Sequence, residues 1–385
     1  MTNYEDLLKY KTPLYVFDIN VLVERLNYLK SKIDGELVYA IKANTFIAKE
    51  IESEVSRFEI CSNGEYEICD ELNIDPKKML ISGVNKDEES ISKMMEKHDI
   101  GKYTIESMEQ FKLLEKLTKK YNKETHVLIR LTSNNQFGVC EDEVKEIYKT
   151  NKNLIIDGIE YFSGTQKTSI KKYNREVDYL NEFVKNLEDE LNVEVKEIEY
   201  GLGLPVYYFR DDSFEEDKFL DEVNEALQRL KHKKLYIELG RSIAATCGTY
   251  ITSVADMKTN KNGKHVILDG GINHLVYYGQ TMAMRIPEFE VFPKKEKKET
   301  VTLYGSLCTI NDIILKSIEV DELEIGSYIA FKKVGAYSMT EGISLFLSRD
   351  LPAVVIHDRD GINHLVRNHT KTSKLNLPNY KEKGE

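Results

Sequence analysis

Lys42 closes the short apolar run Tyr39-Ala40-Ile41-Lys42. An amine at the end of a buried strand either reaches water or acts as a nucleophile. Burial disfavours the ammonium form and favours the neutral amine that condenses with carbonyl compounds. A lysine in this position is usually just solvated, so its companions decide its meaning. Glu238 lies in another apolar run, where an unpaired carboxylate is costly to bury. A cationic ring nitrogen would suit it as a partner. Gly201-Leu202-Gly203 and Gly240-Arg241 are glycine turns of the kind that let backbone N–H groups approach a phosphate. One such turn is commonplace; two on neighbouring strands, together with Arg130, are a stronger signal.

These residues need elements to position them. Apolar runs at 37–42, 57–61, 79–83, 102–105, 126–131, 157–163, 195–201 and 235–239 alternate with segments of helical spacing. The clearest such segment, 170–191, places Tyr173, Val177, Leu180, Phe183, Val184 and Leu187 on one face. Alternating β and α units predict a parallel sheet, and eight of them predict a closed (β/α)8 barrel over 25–248. An open doubly wound sheet is the alternative. Beyond Thr249, runs at 250–254, 265–268, 300–303, 328–332 and 353–357 follow one another with little helix between, which predicts an antiparallel β domain. The strand-like stretch 12–18 is expected to join it, giving a discontinuous second domain of 1–24 plus 249–385. The polar segment 371–385 is expected to be loosely held. Barrel chemistry is built at the C-terminal strand ends. Those ends bear Lys42, Ser62, Arg130, Phe162, Gly201-Leu202-Gly203 and Glu238-Leu239-Gly240-Arg241. An aldehyde for the lysine, a phosphate for the glycines and a basic ring nitrogen for the carboxylate are together the features of pyridoxal phosphate.

Bulk properties bound the function. A length of 385 residues implies two domains. With 41% hydrophobic and 31% charged residues, the composition is that of a soluble globular protein. The net charge of −11 argues against nucleic acid as the main partner. No stretch approaches the roughly 20 apolar residues of a membrane span. The first ten residues are polar and acidic, unlike a signal peptide, so a cytoplasmic location is expected. The five cysteines show no CxxC pair and the eight histidines no HxxxH or HExxH motif, so neither a disulfide framework nor a metal site is expected.

The motifs at 39–44, 58–65 and 82–86, Arg130 with Phe137-Gly138, and those at 164–166, 201–203, 238–241, 305–312 and 335–337 run in one familiar order. Across nearly the whole chain, the sequence resembles the alanine-racemase-fold pyridoxal-phosphate enzymes, specifically the diaminopimelate/ornithine/arginine decarboxylase superfamily. The resemblance implies an obligate head-to-tail homodimer with two composite sites. Lys42 would hold the cofactor covalently, and Glu238 would keep its pyridine nitrogen protonated. Gly201, Gly203, Gly240 and Arg241 would cradle the phosphate, with Tyr337 contributed by the partner. Ser62, Arg130 and Phe162 would line the cofactor. Cys308, also from the partner, would return a proton to the substrate's Cα, and Arg285, Thr309 and Asp312 would contact substrate.

Departures from the family pattern bear on substrate. Phe162 stands where a stacking histidine is usual; it can stack but cannot donate a proton. Thr309 stands where free diamino-acid decarboxylases usually place Asp or Glu, so a distal ammonium would be poorly matched. Arg285 is displaced relative to the arginine that grips a distal carboxylate in diaminopimelate enzymes. The pattern is most similar to decarboxylases of glutamyl groups tethered to an acyl carrier protein in secondary-metabolite pathways. The run Lys294-Lys295-Glu296-Lys297-Lys298 is a candidate docking patch for an acidic carrier. The expected activity is therefore removal of an amino acid's α-carboxylate, with a free diamino acid such as diaminopimelate or ornithine as the alternative substrate. A racemase of this fold is disfavoured by Glu238, because racemases place an arginine at the ring nitrogen. A non-enzymatic cofactor-binding protein is disfavoured by the β domain.

Overall fold

The computed structural model describes residues 4–7 and 9–378. The chain divides into two compact units: one comprises 23–206 and 215–243, the other Met1–Leu22, Tyr207–Phe214 and Ala244–Glu385. Strand β1 (Leu14–Asp18) belongs to the second unit.

Eight strands build the first unit: β2 (Glu36–Ala40), β3 (Arg57–Ile60), β4 (Met79–Ile81), β5 (Lys102–Ile105), β6 (Thr125–Leu131), β7 (Leu154–Phe162), β8 (Glu197–Gly201) and β9 (Lys234–Leu239). All pair in parallel, and β2 pairs with β9 through Val38 and Glu238, so the sheet closes into the expected barrel rather than staying open. Its strands are buried almost throughout, as parallel strands covered by helices must be. Helix starts follow local chemistry. The Ser62, Asp87 and Ser107 side chains each accept an N–H three residues on, at the starts of helices Asn63–Glu71, Glu88–Lys97 and Met108–Tyr121. The helix Ile170–Leu191 buries the six predicted apolar residues, and Glu176 with them.

Charges inside the barrel pair across it. Arg57 Nη1 on β3 lies 2.9 Å from Glu197 and 2.8 Å from Glu199 on β8, and its guanidinium covers the Tyr236 ring at 3.4 Å from the centroid. A buried charge is tolerable only when paired in this way.

The second unit carries β10 (Gly248–Asn260), β11 (Gly263–Leu268), β12 (Phe289–Phe292), β13 (Lys298–Tyr304), β14 (Ile313–Asp321), β15 (Tyr328–Lys332), β16 (Ala353–His357) and β17 (Asn363–Arg367). The sheet order is β14-β13-β11-β10-β1-β16-β17, with β15 on β10 and β12 on β15. It is mostly antiparallel, but β1–β16 and β11–β13 are parallel pairs. β1 sits centrally, packing Leu14 and Val16 with Ile251, Ala330 and Val355. The runs named from sequence miss β12, β14 and β17. β12 is only four residues long, and β17 is an exposed edge strand with little apolar contrast. The stretch Tyr207–Phe214, expected in the barrel, groups instead with the β unit. Phe209 bridges Pro287, Arg210 N donates to Ile286 O, and Lys333 Nζ donates to Tyr207 O. Residues 379–385 of the segment expected to be loose lie outside the described residues. Among the described residues, no helix is long and apolar enough to cross a membrane.

Candidate active site

β2 ends at Ala40, and Lys42 stands in the tight turn Ile41–Ala43 that follows, two residues past the strand it was expected to close. Its Nζ lies 2.7 Å from Glu59 Oε2, 3.3 Å from Cys61 Sγ and 3.9 Å from Glu238 Oε1. The expected pairing of amine and acidic anchor is therefore present within one barrel. The charge state differs from the sequence expectation. Burial pulls Lys42 towards the neutral amine, but Glu59, Cys61 and Glu238 outweigh it and hold the ammonium well above its ordinary pKa. Burial would raise Glu59, yet Lys42 holds it down at about 2. Burial and the neighbouring Glu59 push the Cys61 thiol up.

Glu59, Glu160 and Glu238 bring one carboxylate oxygen each within 4.8 Å of one another. They come from the second, sixth and eighth barrel strands, and residues of alternate strands share a layer in such barrels. Burial, then Glu59, raises Glu238 well above its ordinary range; burial lifts Glu160 to about 8 against the pull of Arg130. Arg130 Nη1 stands 3.4 Å from Glu160 and 3.3 Å from Glu106, with Phe137 under its guanidinium. Both Glu160 oxygens are buried without a hydrogen bond. Three acids served by Lys42 and Arg130 form a pocket that favours one more positive charge.

The glycine turns interlock. Phe162 on β7 pairs in register with Gly201, and a Cβ on Gly201 would come within 2.2 Å of the Phe162 ring. Gly201 in turn pairs with Glu238. Gly203 has a left-handed φ of 57°, and a Cβ there would strike the Gly164 carbonyl at 2.0 Å, so only glycine fits. The Gln166 side chain accepts from Val206 N and donates to Val206 O. Gly240 precedes the short helix Arg241–Ala244, and Arg241 is buried. Ser62 is exposed and caps the helix Asn63–Glu71, its hydroxyl accepting from Glu65 N.

The remaining predicted residues lie on the β unit. Cys308 is exposed, and Thr309 beside it accepts Asp312 N at its carbonyl. Asp312 is turned inward: it is 1% exposed and accepts from Ile272 N at 2.9 Å and Leu307 N at 2.7 Å. Its carboxylate fills the space a Cβ of Gly271 or Gly305 would need. The expected substrate contact is thus replaced by a backbone clamp on the Cys308 loop. Arg285 is also committed, 2.8 Å from Asp211 and 2.6 Å from Asp212, with its guanidinium over Phe209. Tyr337 has a left-handed φ of 65°, an uncommon conformation for a bulky side chain. Its carbonyl accepts the amides of Thr340 and Glu341. The candidate docking run is largely neutralised: Lys295 pairs with Glu324, Lys297 with Glu322 and Lys298 with Asp321.

Comparison with known proteins decides the family. Residues 20–245 match the family model of the pyridoxal-dependent decarboxylases, pyridoxal binding domain. This chain belongs to that family. It is 28% identical to the diaminopimelate decarboxylase of Aquifex aeolicus, covering 85% of this chain and 82% of the relative. It is 25% identical to the L-glutamyl-[BtrI acyl-carrier protein] decarboxylase of Niallia circulans, covering 93% and 91%. The crystal structure of Helicobacter pylori diaminopimelate decarboxylase with L-lysine superposes with a TM-score of 0.82 at 24% identity, covering 97% of this chain and 98% of that one.

The protein is therefore a pyridoxal-phosphate-dependent amino-acid decarboxylase. Reading strand ends alone overlooked several buried charges of this decarboxylase: Glu59 and Glu160 on barrel strands, Glu106, Lys86 and Lys167 in the segments that follow strands, and Glu176 on the helix Ile170–Leu191. A usable signal was present. Charged residues recur at alternate positions inside apolar runs, as in Arg57/Glu59 and Glu197/Glu199, and period-two charges on a barrel strand share its inner face.

Proposed function

We propose that this decarboxylase acts on an amino acid whose distal end carries no charge, such as a glutamyl group tethered to a carrier protein. The observation that carries this reading is the state of the three distal-end candidates. Thr309 has no charge, Asp312 is spent on backbone amides, and Arg285 is neutralised by Asp211 and Asp212. Neither a distal ammonium nor a distal carboxylate finds a matched group among them.

In this reading Lys42 would hold the cofactor through its amine, and Glu59 and Glu238 would receive that amine when it is free. Glu238 keeps a proton on the ring nitrogen. The amides around Gly201–Gly203 and Gly240–Arg241 hold the phosphate, and Phe162 covers the ring without moving a proton. The cofactor, when bound, would supply an electron sink for decarboxylation. The partner's Cys308 then delivers its thiol proton to Cα, and the partner's Tyr337 adds a hydroxyl to the phosphate site, which makes the homodimer the working unit.

Two measurements test this. Lys42→Ala should abolish both the visible absorbance of bound cofactor and turnover; a variant retaining both would remove the lysine assignment. Carbon dioxide release should be fast from a glutamyl-loaded carrier protein and slow from free diaminopimelate or ornithine. The reverse ranking supports the second reading, a free diamino acid, which the similarity to the Aquifex diaminopimelate decarboxylase favours. The neutralised 294–298 run removes one argument for carrier docking at that place, so the carrier arm is also measured with Lys294→Glu. Unchanged rates there locate docking elsewhere.

A further inference from the structure

The helix Ile170–Leu191 carries a buried acid that the reaction does not require. Glu176 Oε2 accepts from Lys167 Nζ at 2.8 Å. The Lys167 side chain is 2% exposed, and Tyr173 and Tyr200 place their rings 4.7 and 4.8 Å from its ammonium. Such a buried pair is expensive to desolvate and rarely justified by stability alone. What the pair touches is the glycine turn. Lys167 Nζ donates to Gly201 O at 3.3 Å, Tyr173 OH donates to Leu202 O at 2.9 Å, and Lys167 N donates to Gly203 O at 2.9 Å. Lys167 Nζ also reaches Ser163 Oγ on the opposite turn at 3.4 Å. Three successive carbonyls of one turn are therefore each engaged from behind.

The other ends of those peptide planes are the amides of Leu202, Gly203 and Leu204. A donor on a carbonyl polarises its peptide unit and strengthens the N–H at the far end, and a full ammonium does so most. We propose that Lys167, held by Glu176, is a positioning residue for the cofactor's phosphate: it fixes the Gly201–Gly203 turn and polarises its amides towards an anion. This rests on the assignment of the phosphate to that turn. The ammonium is also sensitive to pH. Burial lowers Lys167 to about 8, opposed by Glu176 and assisted by nearby Lys172. Tyr200 and Tyr173 face it as well, and burial keeps the Tyr200 phenol protonated. Above about pH 8 the positive end of the device is lost.

The test compares pyridoxal phosphate with pyridoxal, which lacks only the phosphate, on the full-length chain freed of cofactor. The paired variant Lys167→Met/Glu176→Gln removes both buried charges together, so neither is orphaned. Its Kd for pyridoxal phosphate should rise about ten-fold, the scale of one charge-assisted hydrogen bond, while its Kd for pyridoxal stays unchanged. A second measurement needs no variant: in the wild type, the preference for the phosphorylated ligand should fall as pH rises through about 8. Equal weakening of both ligands, or a pH-independent preference, would show that the pair is merely structural and overturn the proposal. A wild type that binds both ligands equally would remove the phosphate assignment itself, and this inference with it.

Discussion

Lys42 shows how neighbours decide a residue's chemistry. Burial argues for a free amine, yet Glu59 at 2.7 Å keeps the ammonium. Only the neutral amine attacks an aldehyde, so a raised pKa means that cofactor loading accelerates as pH rises. Glu59→Gln removes the nearest stabilising charge and should shift that rise to lower pH by about one to three units. The pH dependence of the rate at which visible absorbance appears reads this directly; an unmoved profile would deny Glu59 its role. Asp312 makes the converse case, a site candidate whose work is structural. Asp312→Ala leaves the Ile272 and Leu307 amides unpaired and should cost about 1–3 kcal/mol in urea unfolding. A raised KM at unchanged stability would instead return Asp312 to the substrate. Lys42, Glu238 and the glycine turns were legible in the sequence because each is anomalous where it stands. The commitments of Arg285 and Asp312 were not legible, since their partners lie 73 and 74 residues away for Arg285 and 40 for the Asp312–Ile272 contact.

At the scale of elements, the barrel strands were readable because each is buried on both faces, and a run dominated by apolar residues is the mark of that environment. β3, Arg57-Phe58-Glu59-Ile60, departs from that pattern, as β8 does with Glu197 and Glu199. Half its residues are charged, and it remains a strand because Arg57 finds Glu197 and Glu199 across the barrel. β12 and β17 escaped for the opposite reason: each is short or exposed, and pairing rather than composition defines it. Tight strand packing yields a prediction here. A Cβ on Gly158 of β7 would meet the Glu197 carbonyl of β8 at 1.8 Å, against backbone that cannot step aside. Gly158→Ala should therefore destabilise the fold by about 1–3 kcal/mol, as overpacked cores do. A denaturation midpoint equal to wild type would contradict that packing.

At the scale of the whole molecule, the proposal places Lys42 and Cys308 of each working site on different chains. Mixing Lys42→Ala with Cys308→Ala homodimers under conditions of subunit exchange should restore part of the turnover that each lacks alone, because one site of every mixed dimer regains both groups. No recovery in verified mixed dimers would place both residues of a site on one chain. The sequence by itself determined the alternation that makes a barrel, the strand-like β1 segment that belongs to the later β unit, and which residues are candidates to bind an aldehyde, an anion and a ring nitrogen. These rest on local periodicity and on side-chain chemistry, which a linear chain carries in full. Only the tertiary structure decided which charges neutralise one another. It placed the Glu59–Glu160–Glu238 cluster on alternate strands, set Lys167 behind the glycine turn and closed Arg285 against two aspartates. Electrostatics depends on separation in space, and parallel strands joined by helices bring together residues that the sequence keeps far apart.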